Sequence, residues 1–234
     1  MRNLRLLVFA TVGLLVTRPA FSGAPDYDLN WAVIGDPGNR DTVEGEVPVL
    51  PGTTTPSIGG VNYEYRLATT EVKLAQYVEF VQAYFPVYVA NTGNGIGFID
   101  FTGEGIYASS SIGVGIRAGY SANRAADMSW EYAARYVNWL HNGKANGAWA
   151  FETGVYDTGT FTQNADGTWN HQATHAPDAR FWIPTGDEWT KAAYWDPNKN
   201  GPGQGGYWQF QNSSDVEPIP GALPNDGGER NAGE

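Results

Sequence analysis

An α+β domain, loop-rich and built from a few helices and small antiparallel sheets, is what this sequence predicts. Three observations point there. Glycine and proline are abundant, 30 and 14 residues of 234, while charged residues make up only 17%, a balance that favours turns and irregular connections over a helical bundle. Apolar residues recur at helical spacing in three segments and alternate as strands do in several short runs. Hydrophobic residues reach 41% and aromatics 14%, enough to bury one sizeable core.

The elements follow in order. Arg2 and Arg5 precede a mostly apolar run from Leu6 to Val16, and Ala20-Phe21-Ser22 comes next. A cationic start, an apolar run too short for a bilayer and a small-x-small site predict a signal peptide over residues 1–22, with the mature chain starting at Gly23. An uncleaved membrane anchor is the alternative, which Pro19 and the small residues disfavour. Residues 23–60 read as an N-terminal strand and loop. Leu29 to Ile34 is a short strand, Gly35-Asp36-Pro37-Gly38 a turn, and 41–60 a surface loop rich in Thr, Pro and Gly. Val61 to Leu67 alternates as a strand with Tyr63, Tyr65 and Leu67 on one face. A first helix carries Leu74, Tyr77, Val78, Val81 and Phe85 as its apolar stripe and Lys73, Gln76, Glu79 and Gln82 on its wet side. Lys73 at its start forgoes a hydroxyl N-cap worth about 1 kcal/mol.

Asn91 to Tyr120 is glycine-rich and reads as irregular short strands and loops, with apolar runs at Ile96 to Phe101 and Ile112 to Ile116. Ser129 is an N-cap for a second helix with Trp130, Ala133, Ala134, Val137 and Leu140 as its stripe, Glu131 in its first turn and Gly143 just past its end. Val155 to Asn170 looks like a hairpin with Asp166-Gly167 as a primed turn. Phe181, Trp182 and Ile183 are strand formers, and Pro184 ends the ladder. Thr185 with Glu188 three residues on forms a capping box, and Asp187 and Glu188 sit at the positive end of the helix dipole. Trp189, Ala192 and Ala193 make an apolar stripe, and Asp196-Pro197 stops that helix. From Gln211 the chain turns to Pro, Gly, Asn and acid, so 212–234 reads as a loop or disordered tail.

Three segments carry a resemblance. FWIPTGDEWTKAAYW (Phe181 to Trp195), YRLATTEVKLAQYVEFV (Tyr65 to Val81) and DMSWEYAARYVNWL (Asp127 to Leu140) resemble, in the same order, signature stretches of the formylglycine-generating enzyme family, or sulfatase-modifying factor domains. The resemblance covers roughly residues 60–211 and implies a C-type-lectin-like fold for a domain over 61–211. Family members continue into a last section with a GNVWEW-like motif and further core strands. Nothing similar occurs here, so the chain is expected to be an incomplete domain, a fragment of a longer protein or a shortened copy.

The resemblance also implies copper-dependent oxidation of a sulfatase cysteine through a late pair of cysteines. This sequence has no cysteine, so that pair cannot be carried over. A soft Cu(I) site needs thiolate or thioether ligands, and once Met1 leaves with the signal only Met128 supplies sulfur. Lack of cysteine also removes disulfides, thiol nucleophiles and thiolate metal ligands. Some relatives act in iron-dependent sulfoxide synthesis with histidine ligands. Here only His141, His171 and His175 exist. His171 and His175 are four apart, but Pro177 argues against a helix, and they read as exposed loop histidines. Asp196, Asn198, Asn200 and Gly201 match half of a calcium loop, yet Tyr207 stands where the bidentate Glu belongs and Pro202 follows directly, so a helix-ending turn is the simpler reading.

Nine tryptophans and 13 tyrosines invite a sugar-binding reading through stacking on pyranose faces. Trp130, Trp139, Trp182, Trp189 and Trp195 lie on periodic elements and read as core. Alternation favours core for Tyr207, Trp208 and Phe210. Ser109, Ser110 and Ser111 lack a base nearby in the sequence, and Asn212-Ser213-Ser214 is a glycosylation triplet of the kind chance supplies. Arg117 and Arg124 read as salt-bridge partners within the domain more than as carboxylate binders. The net charge of −11 argues against nucleic acid and fits solubility outside the cell. No residue is assigned a catalytic, cofactor-binding or metal-binding role. The expected protein is exported (periplasmic, cell-surface or extracellular), without a membrane span after signal removal. It has a non-catalytic binding or scaffolding role toward a protein or glycan. A formylglycine-generating-type oxidoreductase lacking its catalytic section and a carbohydrate-binding module are the alternatives.

Overall fold

A computed structural model describes residues 25–46 and 57–217. The proposed signal peptide, most of the proposed tail and part of the 41–60 loop lie outside the described residues. Helices and short antiparallel strands alternate, so the architecture is α+β. The strands are β1 (Trp31–Ile34), β2 (Tyr65–Ala68), β3 (Ile106–Ser109), β4 (Gly113–Ile116), β5 (Thr162–Gln163), β6 (Trp169–Asn170), β7 (Trp195–Asp196) and β8 (Gly206–Tyr207). They form four two-stranded antiparallel sheets, β1-β2, β3-β4, β5-β6 and β7-β8. The helices are α1 (Leu74–Thr92), α2 (Ile99–Thr102), α3 (Trp130–His141), α4 (Trp149–Glu152) and α5 (Gly186–Tyr194). Among the described residues no helix is long and apolar enough to cross a membrane.

The helices form where periodicity and caps agree. Gln76 Oε1 accepts from the Lys73 N–H at 2.9 Å, supplying half of a capping box although the Lys73 ammonium has no lone pair to give. Pro86 lies inside α1 on its exposed side, so the Gln82 carbonyl it strips of a donor can turn to water. α3 starts at Ser129, which has extended backbone angles but gives no side-chain cap bond. Its C-terminus closes as a Schellman motif: the Lys144 N–H reaches Trp139 O at 2.8 Å and the Gly143 N–H reaches Leu140 O at 3.1 Å, with Gly143 at φ 71°.

The core is aromatic. Phe80 of α1 is fully buried, stacks on Tyr77 and Tyr84 at 5.3 and 5.6 Å, and meets Phe101, Tyr136, Trp139 and Phe151 edge-on. Such pairs add about 0.5–1.5 kcal/mol each beyond the area they bury. This cluster joins α1, α2, α3 and α4. A second tie joins the two ends of the described chain. The buried Tyr207 takes Asn39 Nδ2 on its hydroxyl at 2.6 Å and donates to Arg40 O at 2.9 Å, while Glu46 accepts the Tyr207 N–H at 3.2 Å.

Several expectations change. Strand β2 starts at Tyr65, not at Val61, and β1 at Trp31. Phe181 to Ile183 forms no strand, because no neighbouring strand supplies a ladder among the described residues. Phe181 instead packs against Tyr27 and Trp31. Ile99 to Thr102 coils into α2, so the Ile96 to Phe101 run is not a strand. The β5-β6 turn is not primed. Gly167 donates to Asn164 O at 3.0 Å and alone has positive φ, 86°, which makes a three-residue loop with a left-handed glycine.

Candidate functional site

A cleft of about 1020 Å³ opens between β2, α3 and the 175–184 segment. Tyr63 to Ala68 all line it, facing Tyr136, Val137 and Leu140 of α3, with Phe181, Trp182 and Trp189 beside them. Its lining is mainly apolar and aromatic, which is the chemistry of a ligand cleft. Tyr63 and Trp189 remain 45% and 46% exposed.

One fully buried acid, Glu188, lies in the wall. Its carboxylate accepts from Trp182 Nε1 at 3.0 and 3.1 Å, from the Tyr63 hydroxyl at 2.9 Å and from the Thr185 N–H at 2.8 Å. The Thr185 hydroxyl answers the Glu188 N–H at 3.2 Å, so the capping box read in the sequence is present. The Tyr65 hydroxyl donates to the Glu188 carbonyl. Three donors hold this carboxylate, the Trp182 N–H being shared between its two oxygens, and together they fix α5 and Trp182. Burial, followed by the bond to Glu188, pushes the Tyr63 phenol up to about 12.

α5 turns a different face inward from the expected one. Trp189 is half exposed, and the buried positions are Glu188, Thr190 and Lys191. Lys191, 1% exposed, donates to Asp36 O at 2.9 Å and Val61 O at 3.3 Å. Burial pushes this ammonium down, with Asp36 opposing. Nothing local marks a lysine for burial, since the carbonyls that hold it lie far off in the sequence.

The other singled-out residues scatter. His171 and His175 are not exposed. His171 stacks on Trp130 at 4.3 Å and shares a 2.7 Å hydrogen bond with Glu131, and His175 stacks on Trp182 at 4.8 Å. Burial raises the Glu131 carboxyl, but the Ser129 hydroxyl, its own N–H and His171 together hold it below the usual range. His141 Nδ1 accepts the Arg180 N–H at 3.1 Å, and burial pushes that imidazole down. Asp196 and Asn198 spend oxygens on their own loop, accepting from the Asn198 N–H at 2.8 Å and the Gly203 N–H at 3.0 Å. Arg124 pairs with Glu104 at 3.3 Å, as the salt-bridge reading expects, whereas Arg117 donates to Ile106 O at 3.0 Å. The Ser109 and Ser111 hydroxyls bond to each other at 2.9 Å. Tyr207 is core, and Trp208 and Phe210 are half-buried. Trp139 is core too, and Trp130, Trp182 and Trp195 are half-buried. Among the described residues no group of three or more His, Asp or Glu gathers closely enough to hold a metal ion.

Two features escaped sequence reasoning. The cleft is assembled from segments far apart in the chain. Asn138, fully buried on α3, uses both ends of its amide on the 151–156 segment; a lone polar residue within the apolar stripe of α3 was the available signal. No family model, no curated protein and no solved structure matches this chain.

Proposed function

We propose that this chain is an exported, non-catalytic binding domain of the sulfatase-modifying-factor type, with a C-type-lectin-like arrangement, and that the cleft beside β2 is its binding site. The observation that carries the reading is the state of Glu188. The one buried acid of the cleft wall is held by Trp182, Tyr63 and the Thr185 N–H, which supports an architectural role for the segment that resembles the family, while the lining around it is mainly apolar. The oxidoreductase alternative needs the cysteine pair that this sequence lacks. A glycan ligand draws support from Trp189 and Tyr63, two half-exposed rings at the same cleft.

Two measurements test the reading. Incubation with copper and a cysteine-containing sulfatase peptide is expected to give no aldehyde; aldehyde formation would establish the oxidoreductase. Titration with the apolar dye ANS is expected to give saturable binding that weakens about tenfold in Leu67→Asp. Binding unchanged by that substitution would remove the cleft as the site.

A further inference from the structure

We propose that the cleft receives a small apolar amine, with its ammonium group held at the Glu64 end and its hydrocarbon body lying toward Ala68. The proposal rests on the binding reading above and names the class of ligand.

The cleft, at about 1020 Å³, stands at the top of the range that small ligands occupy, and its two ends differ. Trp31 lies opposite Ala68, and Phe181 packs against Trp31 at 6.0 Å. The 180–181 segment therefore belongs to the Ala68 end. Glu64 stands four residues earlier, about 13 Å away along an extended chain. Its neighbours at that end are Tyr63 and Tyr65, whose rings meet at 6.0 Å and whose hydroxyls both reach Glu188. Trp189 follows Glu188 in the chain, so its half-exposed ring is at this end too. Leu67 of β2, with Val137 and Leu140 of α3 facing it, supplies apolar surface for a hydrocarbon body.

Charge sets the sense in which such a ligand lies. The lining carries three acids, Glu64, Glu71 and Glu188, against two guanidiniums, Arg66 and Arg180. Three donors hold Glu188, and Arg66 pairs with Asp26 at 3.3 Å. Glu71, three residues past Ala68, offsets Arg180 at that end. Glu64 is left. It is half-buried, and its carboxylate makes no ion pair or hydrogen bond among the described residues. A carboxylate drawn partly out of water calls for a positive partner. An ammonium group supplies that charge and is attracted to the faces of Tyr and Trp rings as well. A neutral hydroxyl supplies no charge, and a second carboxylate is repelled. The net charge of −11 draws a cationic ligand in.

The test uses the full chain and three probes with one apolar body, 4-phenylbutylamine, 4-phenylbutanol and 4-phenylbutyrate, titrated by calorimetry at neutral pH. The amine is expected to bind saturably and at least about tenfold more tightly than the alcohol, with the butyrate weakest. Added salt is expected to narrow the gap between amine and alcohol. Glu64→Gln is expected to bring the amine down to the affinity of the alcohol and to leave the alcohol unchanged, while its circular dichroism stays that of the parent. Glu71→Gln is expected to keep the preference. Equal affinities of amine and alcohol in the parent overturn the proposal, as does a butyrate that binds most tightly. A preference for the amine that survives in folded Glu64→Gln overturns it as well. Should Glu64→Gln unfold, the parent and Glu71→Gln decide: loss of the preference in Glu71→Gln moves the ammonium to the other end and overturns the assignment. If ANS or maltohexaose binds at the cleft and the amine does not, the amine proposal falls and the binding reading stands. If no probe binds, both fall.

Discussion

Asn138 grips Tyr156 by both main-chain groups, accepting its N–H at 2.9 Å and donating to its C=O at 2.8 Å. The same amide accepts the Val155 N–H at 2.9 Å and donates to Phe151 O at 2.9 Å. One side chain on α3 thus replaces a strand as the partner of an irregular segment. Asn138→Ala leaves two donors and two acceptors buried and unpaired, and is expected to cost about 3 kcal/mol or more. Asn138→Asp keeps the acceptors and loses both donations, and should cost nearly as much. Urea unfolding of the two variants checks both figures.

Glu188 joins the cap of α5 to Trp182. Glu188→Gln keeps the shape but points an N–H₂ at groups that are themselves donors, so a loss of about 2 kcal/mol is expected. Trp182 emission should shift to the red as its indole N–H loses its acceptor. Fluorescence and thermal unfolding on the same sample read both effects.

Alkaline stability should depend on Tyr63. Its phenol is held up to about 12, against 10.0 in an unperturbed tyrosine. The unfolded chain therefore loses this proton first, and folding keeps it. The contribution is complete below pH 10 and disappears as the pH rises toward 12. Tyr63→Phe is expected to flatten the fall in stability across that window and to remove one late phenolate from the ultraviolet titration.

Two glycines with positive φ should respond differently to alanine. Gly143 closes α3 at φ 71° with open space where a Cβ would stand, so Gly143→Ala is expected to cost about 1 kcal/mol. Gly103 combines φ 67° with ψ 178°, a region almost reserved for glycine, and its Cβ would run into the Asp127 carbonyl. Gly103→Ala is expected to cost at least twice as much. Chemical denaturation of the pair gives the ratio.

The elements written in local chemistry were legible. α1 follows its apolar period, and α3 forms where expected with Ala134 and Leu140 of its stripe buried but Trp130, Ala133 and Val137 only half-buried; the capping box of α5 follows from Thr185 and Glu188, and Gly143 marks the end of α3. What depended on distant partners was not. Phe181 to Ile183 has the composition of a strand and no neighbour to pair with. Trp189 has the period of a core residue, yet its side of α5 turns outward, because Lys191 finds the Asp36 and Val61 carbonyls and Glu188 finds Trp182 and Tyr63 on the other. The same limit hid the site. No window of sequence contains β2, α3 and the 175–184 segment together, so the cleft exists only once they are packed.

The hydroxyl of Tyr207 meets Asn39 across 168 positions of chain, and Lys191 meets Asp36 across 155. During synthesis the loop before Glu46 therefore leaves the ribosome long before Lys191 and Tyr207, and finds its seat only after them. Contacts so far apart in sequence slow folding, and here they place its closing step after nearly the whole described chain has emerged. A nascent chain halted before Tyr207 should stay open to protease between 35 and 46 even when α1 and α3 have already formed.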